Sequence, residues 1–600
     1  MPGISLVYKK NAEVLVDYNE LLNSLNYLPY YKSRILIENK NCFAGFNGYD
    51  SYPVEKMKLR GYDVFIEGKI YNKTGNEIRD QLDKLLAENH PDYFYARLSK
   101  WILESDGEFI VYLVSNDSVL IFNDVFGRLP LYYYQDENKL IVSRFLNFIV
   151  KCIESRKMDP MAISMFLLLG YMLGERTLFE NIKQLRPCTL LKYSFGKSEL
   201  VPLYSFNFEH KDNLNKTAPE RLSELKELFS LSCKNRFRNN DENIVTLSGG
   251  LDSRLVASAI YDNKIPFKAA TMVYTNGYAP EEIGIAEKLC NIYKIKLDKI
   301  RVVPPIGSQV LELLKLKEGM NSLATAPIIA FYYELMGTYK KDFTYITGDN
   351  GDKIIFTLDR PPMKFKTIDE LISFVINENS IMPIESVSKI TGVTYEAIFE
   401  EIKTIIQDFP EKDLFQKYVH LRSIEKPFKY AFQGEDRHRS YFWNSSPFWS
   451  YGFINYIMNC PDLSKKKHKI FAGLLNSYSK EAADLVYTNF HSSVNSIKGK
   501  IFMNLVYNIY PLISSQGKKI LKNNFFKGNP KVNENFLLYQ IITKQKEEAS
   551  EISSYLKTDQ LMELGLNKVP VYNLFTITSS IEYLLNNKST IQKYSMDEFI

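Results

Sequence analysis

The chain has 600 residues, 45% hydrophobic and 24% charged, a composition that fits folded globular protein and excludes a disordered or fibrous one. Its 75 Lys and Arg against 70 Asp and Glu leave a formal net charge of +5, which carries no general nucleic-acid footprint. The six cysteines (Cys42, Cys152, Cys188, Cys233, Cys290, Cys460) are scattered without a C-x-x-C pair, which argues against a zinc site and a disulfide framework.

The start, "MPGISLVYKKNAEV", lacks a charged segment followed by an apolar one, so no signal peptide is expected. The longest apolar stretch, "MAISMFLLLGYMLG" from Met161, is too short to span a bilayer and reads as a buried helix. A cytoplasmic protein with no membrane partner is the expectation. The first two hundred residues read as strands: "YDVFIEGKIYN", "GEFIVYLVSNDSVLIFNDV", "RLPLYYY" and "KLIVSRF" alternate or run apolar, broken at Asn, Asp and Gly. A helix is predicted over Asp159 to Gly174, and strand-like "CTLLKYSFG" closes the region.

A polar bridge, "NFEHKDNLNKTAPE", leads into an amphipathic helix, "PERLSELKELFSLSCKNRF". Strands and helices then alternate. "NIVTL" precedes a helix, "FKAATMVYT" precedes "PEEIGIAEKLCNIY", and "FTYIT" follows "IIAFYYELMGTY". This is the rhythm of a parallel sheet with crossover helices. Beyond Asp359 the chain reads mostly helical, with lysine-rich surfaces.

The chemistry concentrates where "NIVTL" ends, in Ser248-Gly249-Gly250-Leu251-Asp252-Ser253. In an open parallel sheet, ligands sit beyond the carboxyl ends of strands. Glycines let backbone N–H groups approach an anion, and the following helix adds its dipole. Ser248 and Ser253 can donate to phosphate oxygens. Asp252 would repel a bare phosphate, so an intervening Mg²⁺ is implied. The loop has neither the G-x-x-x-x-G-K-[ST] nor the G-x-G-x-x-G pattern.

SGGLDS resembles the pyrophosphate loop of the ATP pyrophosphatases, and the whole chain resembles the asparagine synthetase family. "FIEGKIYNK", "SDGEF", "FNDVFGRLPLYYY", "ENIKQLRPCTLLKY", "TGDNGDK", "SSPFWSYGFINYIM" and "KKKHKIFAGLL" match that family's motifs in order. The resemblance implies an α/β protein of two domains. Residues 1–208 would be a degenerate class II glutamine amidotransferase-like antiparallel β-sandwich with flanking helices. Residues 216–600 would be a parallel-sheet ATP-pyrophosphatase domain with a helical C-terminal part. It also implies ATP and Mg²⁺. Leu247, Ser248, Gly249, Gly250, Asp252, Ser253, Val273, Thr347 and Gly348 would bind nucleotide, Asp252 and Asp352 the metal. Asp349 stands where the family keeps a glutamate near the reacting amine, one methylene shorter. Lys467 takes the family's catalytic lysine, with His468 and Lys469 as alternatives one or two residues on.

Glutamine-dependent members begin Cys-Gly-Ile after Met removal, and that cysteine attacks glutamine. Here Pro2 offers no nucleophile. The family's glutamine-holding N-G-E aligns with Glu67-Gly68-Lys69, and Cys42 lies outside the motif. No glutaminase activity is expected. Near the acceptor, the family's E-x-R aligns with Trp443, Asn444 and Ser445, and its Asp with Ser450, which weakens the case for free aspartate. The stretch "KPFKYAFQGEDRHRSYFWN" reads equally as a substrate pocket or as core.

The expected activity is an ATP-dependent amide-forming ligase. It would release pyrophosphate on forming an acyl-adenylate, which an amine then attacks. The amine is free ammonia, a group on the substrate itself (as in the β-lactam and lasso-peptide macrolactam synthetases), or a separate donor, as in amidation of sugar uronates. The carboxylate is a small molecule or peptide, in the last case with a precursor peptide and a leader-processing partner. Ammonia-dependent asparagine synthesis and a non-catalytic nucleotide-binding scaffold remain the alternatives.

Overall fold

The computed structural model describes all residues except 11–15, 89, 195, 210, 238–241, 275–279, 304–306, 340–342, 356–362, 489–490, 510–512, 514–532, 558–565, 567 and 594–600. Its amino-terminal part is built on two six-stranded antiparallel sheets. One contains Gly3–Lys9 between Cys42–Gly48 and Lys139–Ser143. The other contains Tyr62–Ile70, Gly107–Val114 and Ser118–Asn123 in succession. The last two form the hairpin expected from the Asn116-Asp117 break, with Val114 opposite Val119. Gly107–Val114 is buried along its whole length, so its unbroken apolar run marks a strand covered on both faces.

The predicted helix at Asp159 is shorter than expected. Asp159 caps it by accepting from the N–H groups of Met161 and Ala162, and it runs Pro160–Leu169. It stops there because Gly170 adopts the left-handed conformation, with φ 85°. The apolar run continues to Gly174, but as buried loop. The bridge helix, Ala218–Arg236, opens with a reciprocal cap between Thr217 and Glu220.

The later parallel sheet has the order Leu297–Val302, Lys268–Tyr274, Glu242–Thr246, Phe343–Ile346, Asn444–Ser445. In chain order this is 3-2-1-4-5, so the winding reverses between Glu242–Thr246 and Phe343–Ile346. A doubly wound sheet opens its crevice at that reversal. Two strands were missed in the sequence. Leu297–Val302 is an edge strand whose Asp298, Lys299 and Arg301 hide its period. Asn444–Ser445 is two residues long and pairs only because Tyr345 and Ile346 lie alongside. Among the described residues no helix is long and apolar enough to cross a membrane, and all six cysteines are free and buried.

Candidate active site at the sheet reversal

Two loops leave the carboxyl ends of the paired strands Glu242–Thr246 and Phe343–Ile346. The first is the SGGLDS turn. The Ser248 N–H donates to Ser253 Oγ at 3.1 Å, and the Gly250 N–H to Ser248 Oγ at 3.2 Å, so the two serines brace the bend. Helix Leu251–Asp262 starts at Gly250 with no side-chain cap. Its first turn faces the cleft, where an anion would complete it.

The second loop, Thr347 to Asp352, crosses directly over the first. A Cβ on Gly348 would lie 2.4 Å from the Ser253 nitrogen, so only glycine permits the crossing. Asn350 turns the chain with φ 68°, a conformation Asn tolerates. Gly351 then lies so close that a Cβ there would be 2.9 Å from Asp252 Cγ. This brings Asp352 beside Asp252. Burial, and next the like charge of Asp352, push the Asp252 carboxyl well above its ordinary range. Lys353 Nζ pairs with Asp352.

The cleft holds about 600 Å³. Leu247, Ser248, Gly250, Asp252, Ser253, Gly348, Asp349 and Asp352, all singled out in the sequence, line it together. Gly249 packs instead under Glu282, whose Cα would be 2.9 Å from a Cβ there. Thr347 is buried, its N–H bonded to the Ser445 carbonyl at 3.2 Å. Val273 does not line the cleft, although Thr271, Met272 and Tyr274 of the same strand do.

Lys467 also departs from expectation. Lys467 and His468 both have φ 55°, and this left-handed pair redirects the chain before helix Lys469–Tyr478. The Lys467 Nζ therefore meets Asn504 and lies 5.3 Å from the Tyr507 ring centre, and neither lines the cleft. His468 comes nearer through its ring contact, at 6.4 Å, with the cleft residue Tyr487. Lys469 is exposed.

Two residues that shape the cleft had no separate signal in the sequence. Arg254, 0% exposed, donates to the carbonyls of Gly249, Ala482, Leu485 and Val486 at 2.9–3.2 Å. It ties the loop to the segment that delivers Tyr487. Burial lowers its guanidinium to about 10. The visible trace was a cation on the apolar helix "LDSRLVASAI". His438 is the other: its Nε2 stands 3.7 Å from Asp349 Oδ2. Desolvation would raise the Asp349 carboxyl, but His438 and Arg437 outweigh it and hold it below its usual range. The stretch that carries His438 resolves as core: Phe428, Phe432, Arg437 and Arg439 are all buried.

Among the described residues no group of three or more His, Cys, Asp or Glu side chains is placed to hold a metal. Asp252 and Asp352 fit Mg²⁺ all the same. That ion takes one or two carboxylates and completes its shell with phosphate and water oxygens. The mutual repulsion that raises Asp252 is what a divalent cation between them would relieve.

In the amino-terminal part, Glu67 is 0% exposed and fully engaged. It accepts from Arg144 at 2.6 Å, Tyr52 at 2.8 Å, Tyr112 at 3.2 Å and the Ile4 N–H at 3.0 Å. The other arm of Arg144 reaches Asp436, whose second oxygen takes Lys317 at 2.7 Å. A parallel set joins Glu108 to Arg128 at 2.8 Å and Arg128 to Glu435 at 2.8 Å. Both sets end on helix Phe432–Arg439.

Residues 51–204 match the family model of a glutamine amidotransferase domain. No curated protein matches. Similar solved structures include glutamine phosphoribosylpyrophosphate amidotransferase from B. subtilis complexed with ADP and GMP (9% identity, 44% of this chain and 65% of that one, TM-score 0.21). They include NMN synthetase from Francisella tularensis (16%, 38% and 97%, TM-score 0.17). A third is the U34-tRNA thiolase NcsA from Methanococcus maripaludis with its [4Fe-4S] cluster (13%, 50% and 94%, TM-score 0.17). The chain spans 65% of the first of these. With TM-scores this low, none of the three bears on what this chain does.

Proposed function

We propose that the chain is an ATP-dependent amide-forming ligase of the asparagine synthetase type, with a retired glutaminase site. The observation that carries this reading is the meeting of the two loops at the sheet reversal. An anion-binding helix start, two serines and the Asp252–Asp352 pair share one cleft. In this reading Ser248, Gly250 and Ser253 cradle the β,γ-pyrophosphate of ATP. Asp252 and Asp352 hold Mg²⁺, which when bound offsets the charge of the leaving pyrophosphate. Leu247, Met272, Tyr274 and Tyr345 form the apolar wall against which a base packs. A substrate carboxylate attacks the α phosphorus and pyrophosphate leaves. An amine then attacks the acyl carbon, the bond to the adenylate oxygen breaks, and AMP departs.

The test is pyrophosphate release in ATP and Mg²⁺ with a panel of acids: aspartate, glucuronate, galacturonate, and linear peptides carrying a free amine and acid. Release that depends on one acid and is absent in Asp252→Ala supports the reading and names the substrate class. ATP binding without release for any acid would favour the nucleotide-binding scaffold instead.

A further inference from the structure

Helix Phe432–Arg439 sits between the two regions and spends nearly every charged side chain on joining them. It follows two π-helical turns, Leu421–Glu425 and Pro427–Ala431, which shift its register relative to the helix before them. Glu435 holds Arg128, and Asp436 holds Arg144 and Lys317. Arg437 donates to Tyr332 Oη at 3.2 Å and to Asn321 Oδ1 at 2.9 Å. One residue on, His438 emerges toward the cleft, against the rings of Tyr332 at 5.0 Å and Tyr345 at 5.4 Å. His438 is 6% exposed, and its Nδ1 is buried without a hydrogen-bond partner among the described residues. Its polar contact is therefore Asp349, 3.7 Å from Nε2, which places the neutral ring's proton on Nε2.

We propose that His438 is a positioning residue that aims the Asp349 carboxylate at the attacking amine, and that the ion network around Glu67 and Arg144 holds it there. The amino-terminal part thus acts on the reaction by fixing a helix instead of by releasing ammonia. The chemical step rests on the ligase reading; the geometry does not. As the amine nitrogen bonds to the acyl carbon, one N–H proton passes to Asp349, and the electron pair of the broken C–O bond leaves with AMP. A carboxylate of shortened reach serves this only if its orientation is set from behind. His438 lies in ion-pair range and beyond a hydrogen bond before substrate binds, and such contacts tighten in the reacting complex. Asp349 is 51% exposed, so its open side faces the cleft while its other side faces the ring.

The chain has only six histidines, so imidazole ¹⁵N spectra of the full-length protein can follow each ring. One ring should remain neutral in the Nε2–H form to lower pH than an ordinary imidazole. The groups facing it are Asp349, Arg437, Glu435, Tyr332 and Tyr345, and burial with Arg437 opposes its protonation. Asp349→Asn should move that resonance and no other, and Arg144→Lys should move it less. Six unchanged spectra in Asp349→Asn would overturn the pairing. An unmoved resonance in a folded Arg144→Lys would overturn the role of the network. With any acid that supports pyrophosphate release, His438→Gln should slow amide formation at least tenfold while acid-dependent ATP–pyrophosphate exchange stays within twofold. Equal loss of both steps, in His438→Gln and His438→Asn alike, would mean a merely structural ring and would overturn the proposal. If wild type releases no pyrophosphate with any acid, the ligase reading fails by itself and the spectra still decide the pairing.

Discussion

The pocket around Glu67 and the cleft around Asp252 are both lined with charge, yet their electrostatics are opposite. At Glu67 the carboxylate has a guanidinium, two phenols and a backbone N–H within hydrogen-bond reach. At Asp252 the near neighbour is another carboxylate, and the Asp252 carboxyl is driven up in response. A satisfied buried network leaves nothing for a ligand to do. A strained one has room for a partner that would relieve the repulsion. In one molecule the comparison separates a closed, satisfied network from an open, repulsive cleft.

The largest effect should come from breaking the satisfied side. Glu67→Ala removes one of the two carboxylates that hold the Arg144 guanidinium, 0% exposed, leaving Asp436 alone, and should cost about 3–5 kcal/mol. The check is chemical denaturation, and a loss below about 1 kcal/mol would mean the network is dispensable. Next is Asp252→Ala, which should cut acid-dependent pyrophosphate release by ~10²–10³, the scale of losing one preorganised charge-stabilising group. Its denaturation midpoint should be unchanged or higher, because the mutation removes a repulsion. Gly348→Ala follows. Its Cβ would sit 2.4 Å from the Ser253 nitrogen, so the loops must part at a cost of about 1–3 kcal/mol. ATP affinity should fall with it, read by calorimetry.

A smaller effect concerns acid. Burial would raise Asp436, but Arg144 and Lys317 outweigh it and hold the carboxyl at about 2. A carboxyl lowered on folding stabilises fully above its unfolded value of 3.8 and loses that contribution as pH falls through 2. Thermal unfolding between pH 5 and 2 should therefore fall less steeply in Asp436→Asn than in wild type. The smallest effect expected is none. Pro2→Cys supplies a nucleophile but leaves Glu67 occupied by Arg144, so glutamine hydrolysis should not appear. Glutamate formation by that variant would show that the pocket still admits glutamine.

The sequence by itself determined most of the strands and the bend that opens on the cleft. The apolar runs, the capping pair Thr217 and Glu220, and the SGGLDS bend are local signals, each decided within a few residues. That legibility extended to Asp349 and Asp352, since a loop leaving the next parallel strand must reach the same edge. The failures came where the deciding contact is distant in the chain. Lys467 turned on a left-handed pair that sent it to Asn504. Pro2 and Glu67 carried the expectation that glutamine is not hydrolysed here. They could not signal that Arg144, Lys317 and Asp436 would close the space, because those residues meet across 292 positions or fewer and leave no period to read. His438 lay in a stretch that read equally as pocket or core. Only packing settled it as core and brought one ring of that core to the reacting edge.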